Sequence, residues 1–148
     1  EWVEEEIQRR KLENMYLPGS FPATDMPAIL AAASGLLLTL RNDPVGLYTM
    51  PSKLQAYMAA GRPILACVNG EAARVVEEAK AGLTCAAEDA EGLAEAMLRL
   101  WRMSEDERMR LGQNGHRYFM EHYEATRLTG ELIAHFESCV LGKRGGSQ

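Results

Sequence analysis

The chain has 148 residues, of which 47% are hydrophobic and 25% are charged, and its formal net charge is −5. This length and composition are ordinary for one globular domain with its own hydrophobic core. The acidic balance argues against broad nucleic-acid binding, which requires a basic face. No apolar run approaches the roughly 20 residues that a membrane-spanning helix needs.

The first third of the chain predicts two helices separated by a turn. Residues 1–15 are charged and favour a helix. Residues 16–18 then predict a short strand, and residues 19–22 a turn. A second helix, capped by Thr24 or Asp25, is expected before the next strand.

The middle of the chain has a strand, loop, helix and strand in that order. The apolar residues 35–40 predict a strand, residues 41–50 a loop, and residues 63–68 a strand buried on both faces. The helix between them is expected to start with Pro51, whose missing N–H costs nothing at the first helical position, and to stop at Gly61. Ligands of open α/β sheets bind at the carboxyl ends of the strands, so the loop before this helix is the first place to look for function.

The same alternation continues towards the C-terminus. Residues 71–80 predict a helix, residues 83–86 a strand, and Asp89 caps a further helix that reaches Trp101. At least three alternations of strand and helix predict an α/β fold with a parallel sheet flanked by helices.

The last 45 residues predict a helical C-terminal tail. Ser104 and Glu107 have the spacing of a capping box, which opens a helix. That helix is expected to stop near Gly112 or Gly115. Two further helices are then expected over residues 113–123 and 125–141, and the end over residues 143–148 is expected to be frayed.

The loop before the Pro51 helix has the groups that an anion site needs. The N–H groups of Thr49, Met50, Ser52 and Lys53 lie at or near a helix start, where several donors lack intrahelical partners. The helix dipole adds partial positive charge that favours a diphosphate. Ser52 adds a hydroxyl donor, and Lys53 adds a full charge. The alternative is that Ser52 only caps the helix and Lys53 is a solvated side chain.

A second group of candidates follows the strand at residues 63–68. Asn69 and Glu71 are placed to reach a sugar or ribose hydroxyl, and Gly70 allows close backbone approach. The alternative reading makes Asn69 the cap of the next helix and Glu71 a complement to its dipole. The sequence slightly favours the capping role for Asn69 and does not decide for Glu71.

Cysteine and histidine residues indicate no metal site. Cys67, Cys85 and Cys139 are odd in number and lack metal-ligand spacing, so free thiols in a reducing cytosol are expected. His116 and His122 are six residues apart, which does not place them on one helix face. We expect no metal and no cofactor.

Three segments in register carry a resemblance to a known family: PSKLQAYMAAGRPILA from Pro51, NGEAARVVEEAKAGL from Asn69 and AEDAEGLAEAMLRL from Ala87. From about Leu17 to Tyr123, the chain resembles the C-terminal, donor-binding domain of retaining family 4 glycosyltransferases. These enzymes have the GT-B fold of two Rossmann-like domains, and the likeness is greatest to bacterial enzymes that assemble cell-surface polysaccharides. The resemblance implies a partial Rossmann-like nucleotide-sugar-binding domain over residues 1–103, with residues 104–148 as C-terminal helices of the same domain.

The chain departs from the family pattern at one motif. The two glutamates of the E-x7-E motif fall on Tyr48 and Ala56, so both are absent. In relatives the second glutamate typically holds the ribose hydroxyls. Gln55 offers an amide in its place, although adjacent helix positions point about 100° apart. The resemblance also places Ser20 and Phe21 where relatives contact the nucleotide base, although a core position is favoured for Phe21.

The resemblance implies transfer of a sugar from a nucleotide-sugar, with uridine diphosphate as the commonest carrier, to a lipid-linked or growing glycan. Relatives bind the acceptor through an N-terminal domain, so this chain is expected to be a fragment without catalysis of its own and without catalytic residues. The parent protein is expected in the cytoplasm, with peripheral association at the inner face of the membrane. A nucleotide-sugar epimerase and a non-catalytic α/β interaction module remain as alternatives.

Overall fold

The computed structural model describes residues 2–144. Residues 145–148 of the expected frayed end lie outside the described residues. The helices and strands are α1 (Trp2–Arg10), α2 (Met26–Ala32), β1 (Leu36–Thr39), α3 (Ser52–Ala59), β2 (Ile64–Cys67), α4 (Glu71–Glu78), β3 (Gly82–Cys85), α5 (Ala90–Arg102), α6 (Glu105–His122) and α7 (Ala125–Arg144).

The three strands form one parallel sheet in the order β1-β2-β3. Leu38 pairs with Ala66, and Cys67 pairs with Cys85, so the strands end at the same edge. The predicted α/β fold with a parallel sheet, flanking helices and a helical C-terminal region is confirmed. All four residues of β2 are buried, as its apolar run predicts for a central strand.

The core lies between the sheet and the pair α3 and α4. Because side chains alternate along a strand, Ile64 and Ala66 point to the same face of β2. Leu54 and Met58 of α3, which are fully buried, complete this cluster together with Leu38, Val68, Ala72, Val75 and Val76. These contacts fix α3 against the sheet and thereby fix where its first turn lies.

The opposite face of the sheet is covered by α5. Cys67 points to this face, where its thiol lies 3.0 Å from the carbonyl oxygen of Ala86, just before α5. Leu65 shares the face and lines a cavity with Met97 and Leu100 of α5. Leu37 remains 43% exposed, so β1 is buried on one face only, although its apolar sequence resembles that of β2.

The expected stop near Gly112 or Gly115 is wrong, because α6 runs unbroken from Glu105 to His122. Both glycines are buried, Gly112 against Gly61 just after α3 and Gly115 against Met58 of α3 and Ala81 before β3. A Cβ on Gly115 would lie 3.1 Å from the Cβ of Ala81. The glycines therefore allow close helix packing. The capping box of Ser104 and Glu107 is confirmed.

Several local predictions before β1 are wrong. The first helix ends at Arg10, and no residue of α1 is buried, so no core contact extends it to residue 15. Residues 16–18 form no strand. Asp25 occupies the N-cap position of α2 without a side-chain cap bond, since a 3₁₀ turn over Ala23–Asp25 precedes the helix. Phe21, expected in the core, is 46% exposed.

Candidate functional site

The loops that follow the three strands meet at the carboxyl edge of the sheet. Parallel pairing brings these ends together, because each strand runs in the same direction. The loop from Leu40 to Pro51 follows β1, the turn Val68–Gly70 follows β2, and the turn Ala86–Asp89 follows β3. Most of the site residues predicted from the sequence lie on the first two of these loops or just after them.

The first turn of α3 carries free backbone donors. Pro51 occupies the N-cap position, with φ −70° and ψ 134°, and no side chain caps the helix. Pro51 thus lies one residue before its expected position, and Ser52 begins the helix. Leu54 N–H donates to Pro51 O at 2.9 Å, while no described hydrogen bond engages the N–H groups of Ser52 and Lys53. Both residues are exposed, so the Ser52 hydroxyl and the Lys53 ammonium group are accessible to solvent in the same helical turn as these two amides.

The approach to α3 is folded by local hydrogen bonds. Asp43 accepts a bond from Gly46 N–H at 2.6 Å. The Thr49 hydroxyl donates to Val45 O at 2.7 Å, and Thr49 N–H donates to Gly46 O at 3.3 Å. The expectation that Thr49 N–H is a free donor is therefore wrong, because the 3₁₀ turn over Gly46–Tyr48 uses it. Thr49 remains exposed beside the first turn of α3.

Met50 and Gln55 differ in what they present to the site. Met50 is half-buried and packs against the core cluster, so its side chain points away from solvent. Gln55 lies on α3 and is also half-buried. Its neighbour Ala56, at the position of the second motif glutamate, is exposed. The helix therefore presents a small apolar side chain to solvent at this position.

Glu71 opens α4, and its carboxylate is engaged by Arg74. The guanidinium donates to both carboxylate oxygens of Glu71, at 2.9 and 2.6 Å, and also bonds Glu78. Hydrogen bonds from Arg74 hold the pKa of Glu71 below its usual value. A sugar hydroxyl at Glu71 would share the carboxylate with Arg74.

Asn69 is the polar residue that sequence reasoning underestimated. Its expected capping role is wrong, because Gly70 is the N-cap of α4, with φ +71° and no side-chain cap bond. The Asn69 amide instead joins two neighbouring loops, donating to Asn42 and accepting from the backbone N–H of Ala87. The only signal in the sequence is an amide directly after a buried strand, which does not distinguish a cap from a bond between loops.

Ser20 stands apart from these groups in the described contacts. It is exposed in the segment between α1 and α2. Among the hydrogen bonds described for residues 2–144, none links Ser20 to the loop before α3. The structure thus brings together Thr49, Met50, Ser52 and Lys53 at one helix end, with Gln55 one turn further along α3.

Residues 2–144 lack two further features. No helix among them is long and apolar enough to cross a membrane. No group of three or more His, Cys, Asp or Glu side chains among them is arranged to hold a metal ion.

A parallel sheet with helices on both faces and loops gathered at its carboxyl edge defines an α/β protein of the Rossmann-like class. A family model described as Glycosyl transferases group 1 matches residues 1–103, and the chain belongs to this family, which is of GT-B type. Membership supports a function in glycosyl transfer and implies, in general terms, a nucleotide-sugar donor and a glycan acceptor. A comparison with curated proteins found no match.

Proposed function

We propose that this chain is the donor-binding part of a retaining family 4 glycosyltransferase, which moves a sugar from a uridine diphosphate sugar to a lipid-linked or growing glycan. The observation that carries the proposal is the uncapped first turn of α3 at the carboxyl edge of the sheet, in a chain of this family. A helix N-terminus with free amides binds anions because the N–H groups and the helix dipole both favour negative charge.

The proposed contacts divide by chemistry. The amides of Ser52 and Lys53, the Ser52 hydroxyl and the Lys53 ammonium bind the diphosphate. Backbone atoms near Thr49 and Met50 line the same end. We assign Gln55 to the ribose, Glu71 to a hydroxyl of the sugar or ribose, and Ser20 to the nucleotide base.

In catalysis the same groups would stabilise the leaving diphosphate as the glycosidic bond to it breaks. Preorganised donors lower the barrier when they point to the position where negative charge develops. The proposal assigns this charge stabilisation to the first turn of α3 and to Lys53 rather than to a metal ion. The acceptor would bind another domain of the parent protein, so we expect no transfer by the 148-residue chain alone.

The wider context follows from the resemblance in sequence. We propose bacterial cell-envelope polysaccharide synthesis as the pathway, and the cytoplasm, with peripheral association at the inner face of the membrane, as the location. We also propose that residues 1–103 form the nucleotide-sugar-binding unit and that residues 104–148 complete the same domain. The packing of α6 against α3 supports this last assignment.

Calorimetric titration with matched nucleotides tests the donor site. Uridine diphosphate should bind the chain at least about 10-fold more tightly than uridine, since charge-assisted hydrogen bonds to the diphosphate supply the difference. Adenosine and guanosine diphosphates report the base preference in the same assay. Equal affinity for uridine and uridine diphosphate, or no binding of any nucleoside diphosphate, would contradict the proposal.

A further inference from the structure

One side chain connects all three loops at the carboxyl edge of the sheet. The Asn69 Nδ2 donates to Asn42 Oδ1 at 3.0 Å, and Asn69 Oδ1 accepts from Ala87 N–H at 3.1 Å. Asn42 N–H in turn donates to the Glu88 carboxylate at 3.3 Å. Because Asn42 follows β1, Asn69 follows β2 and Ala87 follows β3, these bonds join loops that are far apart in sequence.

The neighbouring Gly70 provides a second contact with the same loop. A Cβ on Gly70 would lie 2.1 Å from the carbonyl oxygen of Leu47, so the loop backbone rests directly on the turn after β2. The 3₁₀ turn over Gly46–Tyr48 also packs against α4. The loop between Asn42 and Pro51 is therefore held at two points, one by hydrogen bonding and one by close packing.

The loop between Asn42 and Pro51 leads directly into the first turn of α3. The last residues of this loop, Thr49 and Met50, precede Pro51, which is the N-cap of α3. The free amides of Ser52 and Lys53 come directly after Pro51. A loop that is already ordered loses little conformational entropy when a ligand binds beside it. Freedom of this loop would therefore weaken binding even if α3 itself stayed in place through its core contacts.

We propose that Asn69 is a positioning residue, which holds the loop before α3 through Asn42 and so sets the affinity of the donor site. This inference rests on the proposed function. Asn69 touches no substrate in this role and acts through the backbone of another loop. Since the bond is between neutral groups, its loss should weaken nucleoside diphosphate binding by about 3- to 10-fold.

Variants at Asn42 separate this role from general stability. Asn42→Ala removes the hydrogen bond between Asn69 Nδ2 and the loop after β1. It leaves the bond between Asn69 Oδ1 and the N–H of Ala87 intact. Asn42→Asp keeps an oxygen that accepts from Asn69 Nδ2, so it should keep the loop before α3 as ordered as in the wild type. Asn114→Ala is the matched control, because Asn114 Nδ2 also donates to a distant backbone oxygen, that of Lys80, at 3.2 Å but at the amino end of the sheet.

Two measurements on the 148-residue chain test the inference. Amide hydrogen exchange in residues 46–50 should become faster in Asn42→Ala and Asn69→Ala and stay unchanged in Asn114→Ala. Calorimetric affinity for uridine diphosphate should fall in the first two variants only, with thermal unfolding measured alongside.

The outcomes separate this inference from the proposed function. Wild-type binding of uridine diphosphate with unchanged affinity in Asn42→Ala and Asn69→Ala would overturn the positioning role alone, as would unchanged exchange of residues 46–50. An equal loss of affinity in Asn114→Ala would assign the effect to stability and also overturn it. Absence of any nucleoside diphosphate binding by the wild-type chain would overturn the donor proposal and this inference with it.

Discussion

Gly112 of α6 lies directly against the carbonyl oxygen of Gly61, at the C-terminal end of α3. A Cβ built on Gly112 would lie 2.0 Å from that oxygen. Gly61 has φ +65° and occupies the position after the C-cap Ala60, so its carbonyl belongs to a tight helix ending that cannot shift easily. One turn further along α6, His116 Nδ1 lies 2.9 Å from the carbonyl oxygen of Ala59. The crossing of α6 over α3 thus depends on a glycine at position 112.

Gly112→Ala should destabilise the chain by about 1–3 kcal/mol, because the added methyl group meets backbone rather than a flexible side chain. Gly130→Ala is the matched control, since Gly130 lies in α7 with nothing within 4 Å of its added Cβ. That substitution should be neutral or should stabilise by up to about 1 kcal/mol through helix propensity. Urea unfolding followed by circular dichroism measures both. Equal effects of the two substitutions would refute the packing role of Gly112.

The glycine at position 112 shows where sequence reasoning stops. A glycine inside a helical pattern indicates either a helix end or a close approach, and only the position of the partner, here Gly61, distinguishes them. The apolar run of β2 was sufficient to predict a central strand, because a strand that is buried on both faces is apolar without alternation. Leu37 of β1 is equally apolar but is exposed, because its burial depends on whether another element packs against that face of β1.

The features of the candidate site also differ in whether the local sequence is sufficient to predict them. The free first turn of α3 could be predicted from Pro51 and Ser52, because helix starts depend on local sequence. The bonds of Asn69 to Asn42 and Ala87 could not, since they join three loops whose proximity only the sheet order creates. The pairing of Glu71 with Arg74 is local, and its three-residue spacing on a helix makes such a pair readable in hindsight.

Lys53→Ala should weaken binding of uridine diphosphate by about 10-fold or more, because a charge-assisted contact to the diphosphate is lost. The free energy of unfolding of Lys53→Ala should differ from that of the wild type by no more than about 0.5 kcal/mol, since the lysine side chain is exposed. Lys80→Gly is the charge-matched control, because Lys80 lies between α4 and β3, at the amino end of the sheet. Calorimetry on both variants gives the comparison. Equal loss of affinity in the two would show a general charge effect and return Lys53 to a solvated role.

Lys80→Gly should itself stabilise the fold by about 0.5–1 kcal/mol. Lys80 has φ +51°, a left-handed conformation that disfavours side chains and suits glycine. It lies after the C-cap of α4, where Lys80 N–H bonds Glu77 O and Ala81 N–H bonds Val76 O, the two bonds of a Schellman ending. Both bonds use the backbone and survive the change. A lower urea midpoint in this variant would show that the lysine side chain contributes more than the conformation costs.

The thiols predict a specific dependence of stability on pH. Burial, with a smaller contribution from neighbouring Cys67, raises the pKa of Cys85 to about 11. An unfolded cysteine has a pKa of about 8.5, so the unfolded chain releases this proton first. The stability associated with Cys85 is therefore complete below about pH 8.5 and falls as pH rises towards 11.

Urea midpoints between pH 8 and 9.5 measure this fall, which should be smaller in Cys85→Ala. The upper limit avoids Tyr118 and Tyr123, whose pKa values are also raised by burial and which titrate at higher pH. Alkylation at pH 8 should also modify exposed Cys139 well before Cys67 and Cys85. An identical pH dependence in the wild type and in Cys85→Ala would exclude Cys85 as its source.

Ala56→Glu should tighten binding of uridine diphosphate by about 10-fold, because it places a carboxylate where the resemblance in sequence implies a contact with the ribose hydroxyls. Ala56 is exposed on α3, so the longer side chain has room. Ala134→Glu is the matched control, since it adds the same charge at an exposed alanine of α7, to which no binding role is assigned. The gain should shrink with 2′-deoxyuridine diphosphate, which lacks one of the hydroxyls. An equal gain in both variants, or no gain in Ala56→Glu, would show that ribose does not lie beside this position of α3.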